Sequence, residues 1–320
     1  MQRRRIELNN DSISLDEAKD NFLTHCTAKG LSVHTIERYT CDIERGFIPF
    51  CKDNKISETG ELSQRLIERF ALSLVSKGNK PVTIQSKIRQ IRAFLYFCMD
   101  NDYCPSFKVV LPKAEKPVKE TYTNQELKAL LKKPNLKETS FNTYKAWVLI
   151  NFTLGTGARL GAILEMRIKD VDFDNMIITM PKTKTKKPLI VPLTASLSEV
   201  LREYMKYRKA KDSNDYLFCN GYGSKGDKRS TQELIAAYNN SRGVTKTSIH
   251  LFRHTFAKLW ILNGGDVFRL QKLLGHSDLG TTRQYVELYG TDLNKDYERY
   301  NPLEMFKDNQ QGDRLSMKKR

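Results

Sequence analysis

Apolar positions in the first third of the chain recur at helical spacing. In "SISLDEAKDNFLTHCTAKG", Phe22, Leu23 and Cys26 share one stripe, Ser14 with Glu17 three residues on makes a capping-box start, and Gly30 is a stop. A second helix is predicted through "SVHTIERYTCDIERGFIPFC", with Ile36, Tyr39, Ile43 and Phe47 at the same period. "ELSQRLIERFALSLVSKG" predicts a third, again closed by glycine. "VTIQSKIRQIRAFLYFCMDN" predicts a fourth, apolar at Ile84, Ile88, Ile91 and Leu95, with Lys87, Arg89 and Arg92 off that stripe.

The pattern breaks at "LPKAEKPVKETYTNQEL", where Pro112 and Pro117 stand with four charges between Lys113 and Lys119, the mark of a semi-extended linker. Thr123 with Glu126 opens the next helix. Beyond it the chain mixes element types. A helix in "FNTYKAWVLINFTLG" leads to the turn "GTGAR" and a short helix in "RLGAILEM". "MIITM" and "PLIVPL" are β-branched runs flanking "PKTKTKK", which predicts a hairpin with a lysine-loaded turn. Helices resume near Ala195, interrupted by the Gly- and Lys-rich "CNGYGSKGDKRS". The expected class is mainly α with a small β-hairpin or sheet in the second part, an α+β arrangement. The expected domains are residues 1–111, helical, a linker at 112–121, and 122–320.

A length of 320 residues fits two domains, each able to bury its own core. No run of about 18 apolar residues occurs, and the basic start "MQRRRIELNNDS" has no apolar segment behind it. These features argue against membrane insertion and secretion and for a cytoplasmic protein. The six cysteines lack C-x-x-C spacing and read as reduced thiols. The net charge of +17 favours a polyanionic partner. Because 17 Lys and Arg face 14 Asp and Glu before Pro112, nearly all of that excess lies beyond the first domain.

Four groups of residues in the second part could carry chemistry, and each also has an ordinary explanation. Arg159 follows the Gly-Thr-Gly turn at a helix start, where it could meet an anion or be a plain surface arginine. The hairpin lysines could act on a ligand or simply be solvated. In "HLFRHTF", His250, Arg253 and His254 lie at i, i+3 and i+4 and project together. The two histidines have the spacing of a zinc pair, but the glutamate of H-E-x-x-H and an evident third ligand are missing. Last, "LQKLLGHSDLGTTRQYVELY" sets His276 just past a helix ended by Gly275, with Tyr285 nine residues later.

Taken as an ordered set, "TGAR", a hairpin lysine before "VPL", "HLFRH", "LGH" and a tyrosine nine residues beyond resemble the tyrosine recombinases, or phage integrases. The resemblance covers the second part in full, and the helical first part looks like that family's core-binding, DNA-clamping domain. It implies a site-specific recombinase that breaks and rejoins DNA through a 3′-phosphotyrosyl link without metal, cofactor or ATP. Tyr285 would be the nucleophile. Arg159 and Arg253 would hold the nonbridging oxygens of the scissile phosphate, assisted by His276. His250 would serve in acid/base transfer, and Lys184 would protonate the departing 5′ oxygen, with Lys182 the alternative because an extra "KT" leaves the register open. His254 would support the site.

The chemistry suits those residue types. A phenol of pKa near 10 is ionised in only about one molecule in a thousand at pH 7, so it needs a base or a strongly positive setting. Guanidiniums stay protonated and can receive phosphoryl charge through paired hydrogen bonds. One position departs from the family: Ala162 stands three residues beyond Arg159, where an acid is common, and puts in doubt how rigidly Arg159 is held. The implied partners are double-stranded DNA, three further copies of the chain in a homotetramer on two recombination sites, and an accessory DNA-bending protein. The tail, with Leu303, Met305 and Phe306, could dock on a neighbouring copy or on its own domain. Alternatives are a DNA-binding protein of the same fold that does not cut, a type IB topoisomerase-like enzyme and, weakest, a zinc hydrolase.

Overall fold

Serine and threonine hydroxyls ahead of apolar stripes start half of the described α-helices. The computed structural model describes residues 12–114, 120–181, 188–276, 280, 282–283 and 285–286. Ser14 and Ser32 accept the backbone N–H groups of Glu17 and Thr35 at the starts of α1 (Leu15–Ala28) and α2 (Val33–Asp42). After α3 (Ile48–Asp53), Ser63 does the same for α4 (Gln64–Ser76). Pro81 occupies the first position of α5 (Pro81–Asp100), where its missing N–H costs nothing.

The unbroken second helix expected from the periodicity is not what forms. α2 ends at Asp42, Ile43–Phe47 winds as a π-helix with the Ile48 N–H donating to the Ile43 carbonyl, and α3 follows. Pro49 accounts for the break, because it can neither donate to the carbonyl four residues back nor fit its ring there, and the wider turn ahead of it accommodates both. Ile43 and Phe47 are nevertheless buried, so the apolar stripe continues across the irregularity.

Contacts divide the chain into two compact units, Met1–Pro117 and Val118–Arg320. The first is a helical unit cored by Phe22, Ile43, Phe47, Phe70, Ile88 and Phe94. Its aromatic rings meet edge to face, Phe22 on Phe94 at 5.7 Å and Phe47 on Phe70 at 5.4 Å between centroids. All six cysteines of the chain are free.

The second unit begins with α6 (Asn124–Leu131), started by a complete capping box. The Glu126 N–H donates to Thr123 Oγ1 at 3.2 Å, and the Thr123 N–H donates to Glu126 Oε2 at 2.7 Å. α7 (Phe141–Thr156) is largely apolar beyond its first turn, with Val148, Leu149, Ile150 and Phe152 buried, and such a helix must be covered on most sides. After α8 (Leu160–Glu165), the cover is completed by α9 (Ala195–Arg208), α10 (Lys228–Ser241) and α11 (Ile249–Leu262). Tyr122 ties the start of the unit to α11: its ring stacks on Phe252 at 4.3 Å, and its backbone N–H donates to Thr255 Oγ1 at 2.9 Å.

The hairpin strands form as β2 (Ile177–Met180) and β3 (Leu189–Pro192), antiparallel with Met180 opposite Leu189, preceded by β1 (Val171–Asp172) on the far side of β2. The connecting lysines, residues 182–187, lie outside the described residues. β1 was not foreseen. At two residues it is too short to show alternation, and it ends because the Asp172 carboxylate accepts the N–H groups of Asp174 and Asn175 and turns the chain. α12 (Val267–Leu274) packs on β3 and α11. Among the described residues no helix is long and apolar enough to cross a membrane.

Gly157 ends α7 with φ of +65°, and a Cβ there would stand 2.6 Å from Phe256 Cδ1 and 2.8 Å from Leu274 Cδ2. Gly157→Ala combines a left-handed backbone penalty with overpacking, an expected loss of about 2–4 kcal/mol. A shift of the second unit's chemical-denaturation midpoint to lower denaturant checks this; an unchanged midpoint contradicts it.

Candidate active site

Two helix ends build this site. α12 stops in a Schellman motif: the Gly275 N–H donates to the Lys272 carbonyl at 2.9 Å and the His276 N–H to the Gln271 carbonyl at 3.1 Å. Gly275 carries φ of +58°, which its lack of a side chain makes easy. The motif fixes where His276 begins and leaves the Leu274 and Gly275 carbonyls without helical donors. At the end of α7, the left-handed Gly157 turns the chain so that Arg159 caps α8. The Gly157 carbonyl is likewise left for another donor.

Arg253 supplies donors to both ends. It is 5 % exposed, and its guanidinium donates from Nη1 to the Gly157 carbonyl at 2.6 Å and from Nη2 to the Leu274 carbonyl at 2.8 Å. Arg159 Nη1 donates to the same Leu274 carbonyl at 3.2 Å and to that of Gly275 at 3.4 Å. One carbonyl at the negative end of α12 therefore binds both guanidiniums. Among the described residues no carboxylate bridges either arginine, and Ala162, on α8, offers none. Arg159 Nε and Nη2 have no partner among the described residues, so its outer edge is open to an anion.

The charges act on one another. Burial, with the like charge of Arg159, pulls Arg253 down to about 10, still well above neutral pH. Arg159 is lowered by burial too, and a phenolate at Tyr285 would pull both guanidiniums back up, so the phenol lies within electrostatic reach of each. His250 is held below its ordinary value, first by desolvation and then by Arg253 and Arg159.

The other two histidines are fixed by their bonds. Arg253 Nη2 stands 2.8 Å from His276 Nε2, and because a guanidinium only donates, that nitrogen must accept. The proton of neutral His276 then sits on Nδ1, which donates to Thr282 Oγ1 at 2.9 Å. His254 Nδ1 lies 2.6 Å from the Tyr285 hydroxyl. Tyr285 is 1 % exposed, packed with Ala257, Leu270 and Leu274.

Of the residues expected from sequence, Arg159, Arg253, His250, His276 and Tyr285 come together here, while Lys184 and its alternative Lys182 lie outside the described residues, as do Leu303, Met305 and Phe306. For a zinc pair at His250 and His254, no group of three potential ligands exists among the described residues. Sequence reasoning missed Thr282 and the carbonyls of Gly157, Leu274 and Gly275. The two glycines were the available signal, read only as a turn and a stop.

Removing the Arg159 charge relieves His250. Arg159→Ala is expected to move the His250 titration upward toward the ordinary imidazole value near 6.5, whereas Arg159→Lys leaves it low. Histidine-resolved NMR titration measures both. The sign extends to stability: the folded state binds this proton less readily than the unfolded chain, so the His250 contribution is lost as pH falls through about 6.5.

Comparison with known proteins identifies the family. Residues 120–291 match the model of the phage integrase family. The chain is 28% identical over 284 residues to tyrosine recombinase XerD of Staphylococcus epidermidis, covering 86% of this chain and 94% of that one. XerD of Staphylococcus aureus is 27% identical over the same coverage. Solved structures with a similar fold include the Tn1549 transposon integrase in complex with transposon right end DNA, at TM-score 0.70 and 19% identity, over 85% of this chain and 94% of that one. XerH recombinase bound to its difH substrate matches at TM-score 0.62 and 23% identity, over 84% of this chain and 81% of that one. With more than half its length matched by the family model and its arginines, histidines and tyrosine gathered at one site, the chain belongs to the phage integrase family of tyrosine recombinases.

Proposed function

We propose that this site-specific recombinase cleaves and rejoins double-stranded DNA with Tyr285 as nucleophile, Arg159 and Arg253 on the scissile phosphate, His276 beside them, His250 in proton transfer and Lys184 as acid for the departing 5′ oxygen. The observation that carries the reading is the pair of guanidiniums sharing the Leu274 carbonyl, with no carboxylate bridging either among the described residues. A carbonyl contributes only a partial charge, so the pair keeps a strong net attraction for a phosphate. Charge developing on the nonbridging oxygens in the transition state falls where fixed donors already stand, and little reorganisation is needed. The His276 ring accepts from Arg253 and donates to Thr282, which fixes the ring against that guanidinium.

The covalent step conserves the energy of the broken phosphodiester. Attack by the phenol gives a 3′-phosphotyrosyl link and a free 5′ hydroxyl, and a 5′ hydroxyl from a second duplex can reverse the step on a new partner. This chemistry needs neither ATP nor a metal ion. Residues 1–111 are read as the DNA-clamping domain joined by the 112–121 linker to the catalytic domain at 122–320. The excess positive charge beyond Pro112 supports a DNA-facing catalytic unit. Four copies on two sites, aided by a DNA-bending protein in the cytoplasm, complete the proposal.

A nicked suicide DNA substrate, incubated in chelator, tests it. Wild-type protein is expected to accumulate a covalent protein–DNA adduct, and Tyr285→Phe none; an adduct that persists in Tyr285→Phe refutes the assignment. A second expectation concerns which chain supplies the tyrosine. Tyr285 lies within electrostatic reach of its own chain's Arg159 and Arg253, which supports cleavage in cis. Mixing Tyr285→Phe with Arg253→Ala protein should therefore restore no adduct, whereas recovery on mixing would mean that the nucleophile crosses between copies.

A further inference from the structure

Three histidines belong to the candidate site, and the structure distinguishes them. His276 is committed, its Nε2 accepting from Arg253 and its Nδ1 donating to Thr282. His250 is opposed in taking up a proton first by its burial and then by the charge of Arg253 and Arg159. His254, one turn further along α11, touches the reacting atom itself, with Nδ1 at 2.6 Å from the Tyr285 hydroxyl, at the short end of the hydrogen-bond range. Apolar side chains pack with Tyr285: Ala257, Leu270 and Leu274, with Phe256, Trp260 and Ile261 against them. A phenolic proton released from a residue 1 % exposed needs an acceptor within the protein, and an imidazole nitrogen in direct contact is well suited.

We propose that His254 is a catalytic residue of strand cleavage, accepting the Tyr285 proton on Nδ1 as the phenolic oxygen attacks phosphorus. The inference rests on Tyr285 being the nucleophile. In the step, the Oη–P bond forms and the bond from phosphorus to the 5′ oxygen breaks. Its electron pair leaves on the 5′ oxygen, which takes a proton from the general acid assigned to Lys184. The phenolic proton passes to His254, whose other proton is on Nε2, and leaves an imidazolium beside the phosphotyrosine. On rejoining, the same imidazolium returns its proton to the departing phenol, so one group serves both directions.

The test uses the full-length protein and two suicide substrates, one with an ordinary phosphodiester and one with a 5′-bridging sulfur, whose thiolate leaves without protonation. His254→Asn keeps an acceptor near the Nδ1 position but cannot hold the proton. It is expected to form adduct roughly 10²- to 10⁴-fold more slowly on both substrates, with DNA affinity and melting midpoint unchanged. Lys184→Ala, by contrast, should recover on the sulfur substrate. Millimolar imidazole should return part of the lost rate to His254→Ala, a response that repaired packing alone does not give.

Wild-type rates in His254→Asn overturn the proposal, because hydrogen bonding alone then suffices. A defect erased by the bridging sulfur also overturns it, since His254 would then serve the leaving group. So does a defect matched by weaker DNA binding or early melting, with no imidazole rescue. In each of these cases Tyr285→Phe remains inactive, whereas adduct formation by Tyr285→Phe would instead remove the nucleophile assignment on which the proposal stands.

Discussion

Two guanidiniums held side by side repel, and the second unit depends on how that repulsion is met. A carboxylate between them would neutralise the pair and compete with any phosphate for its hydrogen bonds. Here the work falls to backbone carbonyls: Leu274 accepts from both arginines, Gly157 from Arg253 and Gly275 from Arg159. Each carries a fraction of a charge at a helix end, enough to orient the cations and too little to satisfy them. Arg253, buried and drawn down to about 10, still stays charged at neutral pH.

The surrounding fold follows from that requirement. α7 has to be buried along most of its length if its end is to be a fixed point, and α9, α10 and α11 cover it. α12 has to stop abruptly, and Gly275 in its left-handed conformation lets the last carbonyls turn toward the arginines. The contact of α12 with β3 sets that stop against the sheet, where Leu189 Cδ2 comes within 3.5 Å of a Cβ built on Gly275. Strand, helix end and the beginning of His276 thereby form one local unit.

Much of this was legible in the sequence. Apolar periodicity marked α1 and α5, the hydroxyls of Ser14 and Thr123 marked the starts of α1 and α6, and "MIITM" and "PLIVPL" marked the two main strands, because each of these signals is local. The arginines, histidines and tyrosine were legible as types with a shared chemistry. What could not be read was set by tertiary contact or by the backbone. The π-turn before Pro49 preserves the apolar stripe and so leaves no trace in it, and β1 exists only because Asp172 turns the chain. Thr282 gains its role from the ring it faces across the chain, and His254 from the phenol it meets. Carbonyl ligands have no letter in the sequence at all.

That last point bears on how such a centre is probed. Replacing side chains one at a time interrogates only what side chains do, and the oxygen of Leu274 survives every substitution of Leu274 that keeps the helix end in place. The principal anchor of both cations is thus invisible to alanine scanning. It becomes accessible through chain geometry, by giving Gly275 a side chain or by exchanging an amide for an ester, which weakens the carbonyl as an acceptor without changing its position.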